Sequence, residues 1–155
     1  MLFRSSSTYA HQIGTVIAYT TSMQNVGAHP ETILQSPAVE LIKSIPVDWD
    51  QTVVLQSSKI GSVLAFARCK GTEWFVCVLN GDTSAAKTVN VPLSFIGNEM
   101  CTATIVKDNM NNAQAVVMES RRVSAAETLV AEMGPGGGWV ARIQRNTNGP
   151  GKWRY

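Results

Sequence analysis

Near its middle the chain reads Ser62-Val63-Leu64-Ala65-Phe66-Ala67-Arg68-Cys69-Lys70-Gly71-Thr72-Glu73-Trp74-Phe75-Val76-Cys77-Val78-Leu79-Asn80, and this stretch decides the fold. Two apolar runs, Val63 to Ala67 and Trp74 to Leu79, flank a turn near Lys70-Gly71-Thr72, which predicts neighbouring strands over Ser62 to Cys69 and Glu73 to Asn80. A strand with one wet face alternates apolar and polar residues, and these two do not. Both are therefore expected to be covered on both sides: by the opposite layer of a sandwich on one, and on the other by the leading helices or by something not present in the chain.

Towards the C-terminus, short apolar runs separated by turn residues continue the pattern. They predict strands at Thr52 to Gln56, Thr88 to Leu93, Thr102 to Lys107, Ala115 to Glu119, Thr128 to Met133 and Trp139 to Ile143. The expected fold is mainly β, an antiparallel β-sandwich of about eight strands preceded by two helices. Val89, Val91 and Leu93 alternate with Thr88, Asn90 and Pro92, so that strand is an outer one, and its proline favours an edge. Gly134-Pro135-Gly136-Gly137-Gly138 lacks the Lys-Ser/Thr of a phosphate cradle and leads into a strand, so it reads as a turn.

Towards the N-terminus the periodicity changes. Tyr9, Ile13, Val16, Ile17, Met23 and Val26 recur mostly three and four apart, which predicts a helix from Tyr9 to about Val26, despite the β-branched Thr15, Val16, Ile17, Thr20 and Thr21. His29-Pro30 breaks it. Ser36 as N-cap and Pro37 at the first position then open a second helix with Leu41, Ile42 and Ile45 on its apolar side, and Pro46 ends it. The organisation is a helical segment over 1–46, a β domain over 47–143 and a flexible tail over 144–155.

Composition sets the outer limits. The 155 residues are 45% hydrophobic and 15% charged, enough for one real core. Thirteen basic and eleven acidic residues give a net charge of +2, with no like-charge run beyond Arg121-Arg122, so no footprint for nucleic acid or an anionic membrane is expected. No apolar run approaches the roughly 18 residues of a membrane span. Met1-Leu2-Phe3-Arg4 carries no apolar segment of a secretory leader. Cysteines number three, an odd count. Cys69 and Cys77 face opposite sides of the sheet if the turn has two residues, and lie about four residues out of register if it has three. Either exceeds the roughly 7 Å limit for bridging, so they are expected to be reduced.

Several segments, in order, are similar to the C-terminal part of glycoside hydrolase family 97, the α-glucosidase and α-galactosidase family. They are Ala10-His11-Gln12, Tyr19 to Met23, His29-Pro30-Glu31, Pro46-Val47-Asp48-Trp49-Asp50-Gln51-Thr52, Ala67-Arg68, Glu73-Trp74-Phe75, Leu93-Ser94-Phe95-Ile96-Gly97, Lys107-Asp108 and Gly136-Gly137-Gly138-Trp139. The resemblance spans roughly residues 8 to 143. It implies a parent with an N-terminal β-sandwich, a central (β/α)8 barrel holding the active site, and a small C-terminal β domain with a structural or oligomerising role. Residues 8 to about 45 would be the end of the barrel, and about 50 to 143 the β domain. The family is calcium-dependent and typically bacterial periplasmic or exported. Its glutamate base or aspartate nucleophile lies upstream of the matched region, so no catalytic residue, metal ligand or cofactor is expected in this chain. The partners implied are the parent's barrel or a second copy.

The residues themselves offer few competitors. Glycoside hydrolysis needs two carboxyl groups about 5 to 5.5 Å apart for retention or 6.5 to 9.5 Å for inversion. Asp48 and Asp50, flanking Trp49, are the close pair beside an aromatic ring, but between a helix and a strand Asp commonly caps turns. His11 and His29 are the only histidines and Ser5 to Ser7 the only serine cluster; both histidines read as hydrogen-bonding or surface residues. No C-x2-C or H-x3-H pair offers zinc spacing. Trp49, Trp74, Trp139 and Trp153 could stack on sugar in a stand-alone carbohydrate-binding module, the alternative reading. Trp74 falls in a buried run and Trp139 opens the last strand, which leaves Trp49 as the weak substrate-binding candidate.

Overall fold

The computed structural model describes residues 6–19 and 30–146. In chain order the elements are helices α1 (Tyr9–Ala18), α2 (Pro30–Leu34) and α3 (Val39–Ser44), followed by strands β1 (Gln51–Val54), β2 (Val63–Lys70), β3 (Glu73–Asn80), β4 (Lys87–Pro92), β5 (Cys101–Asp108), β6 (Val116–Val123), β7 (Thr128–Met133) and β8 (Gly138–Arg145). The hairpin read from the sequence is β2–β3, in register from Lys70 opposite Glu73 to Val63 opposite Asn80. Its loop is the two residues Gly71-Thr72, with Gly71 at φ 59°, where a side chain would be strained.

Two antiparallel sheets result, one of six strands in the order β1-β2-β3-β8-β5-β6 and one of two strands, β4-β7. The mainly β expectation holds, with the sandwich divided unequally. The two-sided covering expected of both runs is met by β3, whereas on β2 the helix-side Leu64 and Phe66 are only half-buried. Val76 and Val78 of β3, Trp139, Ala141 and Ile143 of β8, and Ala103 and Ile105 of β5 face the small sheet. Phe75, Cys77 and Leu79 of β3, Val140 of β8 and Val106 of β5 face the helices. Phe75 and Trp139 are each 1% exposed, and fully burying a large apolar side chain contributes about 1.5–3 kcal/mol. Arg142 ties β8 to β3 by a forked pair with Glu73, at 2.9 and 3.0 Å.

Helix α1 lies over β3, β8 and β5, burying Ala10, Ile13, Gly14, Ile17 and Ala18, the three-and-four spacing seen in the sequence. Thr8 is its N-cap, its hydroxyl accepting from the N–H of His11 at 3.1 Å. The helix ends eight residues before the expected Val26. Tyr19 is extended, at φ −96° and ψ 124°, and the guanidinium of Arg68 donates to the Ala18 carbonyl at 2.8 Å. A cation at the last turn also complements the helix dipole. Met23, Val26 and His29 lie outside the described residues.

Other boundaries shift for local reasons. Pro30–Leu34 forms a short helix that was not anticipated. Helix α3 starts at Val39 rather than Pro37, because Ser36 Oγ accepts from the N–H of Ala38 at 3.2 Å and closes a turn first. Ile45 is extended at φ −67° and ψ 119°, as a residue before proline should be. Strand β6 runs to Val123, four residues beyond Glu119. Gln144 and Arg145, counted with the tail, continue β8.

Candidate functional site

Pro46 and the entry to β1 place Asp48, Trp49 and Asp50 beside the β2–β3 turn. Lys70 Nζ lies 2.9 Å from Asp48 Oδ1 and 3.2 Å from Asp50 Oδ1, and the N–H of Gly71 donates to Asp50 Oδ2 at 2.7 Å. That backbone N–H and the Lys70 ammonium hold the Asp50 carboxyl below its ordinary range. Asp48, followed by Asp50, raises the Lys70 ammonium in turn. A glycosidase's acid carboxyl must be shifted upwards to carry a proton near neutrality, and Asp50 goes the other way. The two carboxylates grip a turn.

Trp49 packs between them against the sheet. Its ring meets Phe75 edge-on at 5.5 Å and 65°, and the Arg68 guanidinium carbon sits 5.7 Å from its centroid. The indole Nε1 is buried without a hydrogen-bond partner, so the edge that would donate to a sugar hydroxyl is sealed. The same guanidinium lies 5.5 Å from the Phe66 centroid. Arg68 thus fills the joint between Trp49, Phe66 and the end of α1, with its stem buried and its charge on a carbonyl.

At the other end of α1 a second cluster forms. Asp108 is 5% exposed and accepts from Thr8 Oγ1 at 2.5 Å, from the N–H of Gly134 at 2.9 Å and from the N–H of Gly138 at 3.1 Å. His11 Nδ1 stands 3.0 Å from the Gly137 carbonyl. His11 and Asp108 therefore share a corner, but Asp108 is occupied by the N-cap and the glycine loop, an arrangement that joins α1 to β5 and β8 and orients no nucleophile. Gly134 to Gly137 is the expected turn, closed by a 2.9 Å hydrogen bond with Gly136 at φ 58°. The bareness of Gly138 has a different cause: a Cβ there would lie 2.5 Å from His11 Cα and 2.7 Å from the Ala10 carbonyl carbon.

All three cysteines are free. With the two-residue turn, Cys69 and Cys77 face opposite sides of the sheet, as reasoned. Cys77 and Cys101 are buried, and Cys69 is half-buried at its strand end. Burial pushes the Cys77 thiol up to about 12. No group of three or more His, Cys, Asp or Glu that could hold a metal occurs among the described residues. No helix among them is long and apolar enough to cross a membrane.

The remaining feature is a groove that sequence reasoning missed. Because α1 covers β3, β8 and β5, the helix-side faces of β1 and β2 are only partly roofed by the described residues. Tyr19, Val54, Ile60, Leu64 and Phe66 line a hollow of about 520 Å³ there, and Ile60 is fully exposed at the tip of a turn. A lone isoleucine between Lys59 and Gly61 was the available signal.

The family model described as glycosyl-hydrolase 97 C-terminal, oligomerisation, matches residues 48–144, and the chain belongs to that family. A retaining alpha-galactosidase of Bacteroides thetaiotaomicron is 28% identical over 145 residues, 90% of this chain and 21% of that protein. A glycoside hydrolase family 97 enzyme from Pseudoalteromonas sp. strain K8, solved with acarbose, superposes with a TM-score of 0.83 at 25% identity over 92% of this chain and 23% of its own. A beta-arabinopyranosidase shares the fold, with a TM-score of 0.74 at 21% identity over 88% of this chain and 21% of that one. The chain thus spans about a fifth of the length of these relatives, and corresponds to their non-catalytic C-terminal part.

Proposed function

We propose that this chain is the accessory β domain of a calcium-dependent α-glycosidase acting on α-glucosides or α-galactosides, together with the last helical stretch of its barrel, and that its role is mechanical. Residues 8–45 close the barrel, residues from about 50 to 143 brace it, and the calcium and catalytic carboxylates belong to the rest of the protein. The carrying observation is α1 itself. This segment precedes the family domain, yet Ile13 and Ile17 are 3% and 0% exposed beneath it, so the joint is a shared core and not a tether. The groove lined by Tyr19, Ile60 and Phe66 supports the same reading, as apolar surface suited to lying against a larger neighbour.

The test is catalytic. Incubated with aryl α-glucoside and aryl α-galactoside in calcium, this chain is expected to give no turnover; turnover abolished by Asp48→Asn or Asp50→Asn would overturn the proposal. A stand-alone sugar-binding module would need exposed tryptophans in a row. Trp139 is buried, Trp74 packs on Phe95 at 4.9 Å and Trp49 on Phe75 at 5.5 Å. Titration with maltooligosaccharides should accordingly leave tryptophan fluorescence without saturable quenching.

A further inference from the structure

We infer that β6 is a self-pairing edge, by which two copies of this chain join antiparallel about a twofold axis through Ser120 and merge their six-stranded sheets. The inference rests on the oligomerising role carried by the family and names the surface that serves it.

Among the described residues strand β6 hydrogen-bonds only to β5, and its outer edge pairs with no other strand. It is eight residues long, against four for β1 at the opposite edge, and unlike β4 it contains no proline. From Val117 to Arg122 every side chain is exposed, on both faces, because neither α1 nor the β4–β7 layer reaches so far. A long uncovered edge offers a row of free N–H and C=O groups to another strand, and proteins that stay apart usually blunt it with short length, proline or like charge. Here the charges are mixed.

Their spacing selects one register. Glu119, Arg121, Val117 and Val123 point to the side of the small sheet, and Met118, Ser120 and Arg122 to the helix side, as their partners on β5 require. A twofold axis normal to the sheet brings residues of the same face together. Centred on Ser120, it sets Glu119 of each copy opposite Arg121 of the other, Val117 opposite Val123, and Met118 against the stem of Arg122. Centred on Glu119 it would oppose two carboxylates, and on Arg121 two guanidinium groups, which is unfavourable directly across a ladder. Within one chain Glu119 meets Lys107 at 3.4 Å and Arg121 meets Glu127 at 2.9 Å. Both pairs are solvent-exposed and weak, and each leaves an oxygen or an N–H for a partner across the edge.

Directly opposed Cα atoms in an antiparallel pair lie about 4.5–5.5 Å apart, within disulfide reach. Ser120→Cys should therefore cross-link with its own copy under mild oxidation, with peptide mapping placing the bridge at the introduced thiol. Met118→Cys should not, since its counterpart lies four positions along the strand, roughly 13 Å away. By sedimentation equilibrium, Glu119→Arg should weaken association by about tenfold, and Glu119→Arg with Arg121→Glu should largely restore it. Wild-type oligomers that persist while Ser120→Cys gives no cross-link and Glu119→Arg has no effect would overturn the β6 inference while leaving the oligomerising role standing. A wild-type chain that stays monomeric at high concentration, with a Ser120→Cys variant that fails to cross-link, would remove both.

Discussion

Replacing Gly138 by alanine adds one methyl group at the point where β8 runs beneath the first turn of α1. The new Cβ would stand 2.5 Å from His11 Cα and 2.7 Å from the Ala10 carbonyl carbon, where carbon atoms prefer about 3.5–4.0 Å. These neighbours are main-chain atoms and cannot rotate aside. Relief requires the N-terminal turn of α1 to rise by roughly 1 Å, which loosens Ala10 and Ile13, 0% and 3% exposed, and strains the contacts of Thr8 with Asp108. Overpacking costs about 1–3 kcal/mol, and an immovable neighbour puts this case at about 3. In a chain of this size that lowers the melting temperature by about 6–12 °C. Urea unfolding followed by circular dichroism reads the free energy directly. Gly14→Ala is the control, since its Cβ presses on Leu79 Cδ2, at 2.5 Å, the far end of a side chain, and otherwise reaches Val140 Cγ2 at 3.4 Å. Its cost is offset by the roughly 1 kcal/mol that alanine gains over glycine inside a helix. A Gly138→Ala protein within about 0.5 kcal/mol of wild type, or a Gly14→Ala protein equally damaged, would refute the claim that this glycine is bare to admit the helix.

Two further outcomes test the joints around α1. Arg68→Ala removes a charged hydrogen bond to the Ala18 carbonyl and the filling between Trp49 and Phe66; a loss of about 2–4 kcal/mol in urea unfolding is expected, with Arg68→Lys only partly recovering it. The Cys77 thiol, raised by burial to about 12 from 9.0, stays protonated in the folded state while the unfolded chain releases its proton above pH 9.0. The unfolded state then binds fewer protons, so stability falls as pH rises from 9.0 towards 12, by up to about 1.4 kcal/mol per unit from this group. That part of the slope should be missing from Cys77→Ala.

What the sequence disclosed and what it withheld divide along the distance between partners. The two-sided greasiness of β3, the turn at Gly71-Thr72, the start of α1 at Tyr9 and the free cysteines follow from residues close together in the chain. The end of α1 does not. It is set by Arg68, fifty positions away, so the apolar spacing that ran on to Val26 carried no sign of it. Asp108 meets Thr8 across one hundred positions and passed unremarked as part of a family motif. The glycine loop was legible as a turn, but the requirement at Gly138 comes from a helix lying over it, which local reading cannot see. The small second sheet escaped for a similar reason. Val89 and Val91 alternate in the sequence whether their sheet has two strands or six.

β8, the last strand among the described residues, is an inner strand of the large sheet. β8 enters between β3 and β5 and forms the floor under the first helix, so during synthesis a half-built domain waits for residues 138–145 before its parts can join. Until then β1-β2-β3 and β5-β6 are separate ribbons with raw inner edges, and α1 has only part of its seat. A stop codon even a few residues before Gly138 would therefore abolish the whole assembly rather than trim it, and a chaperone shielding the nascent chain would have those two inner edges to guard.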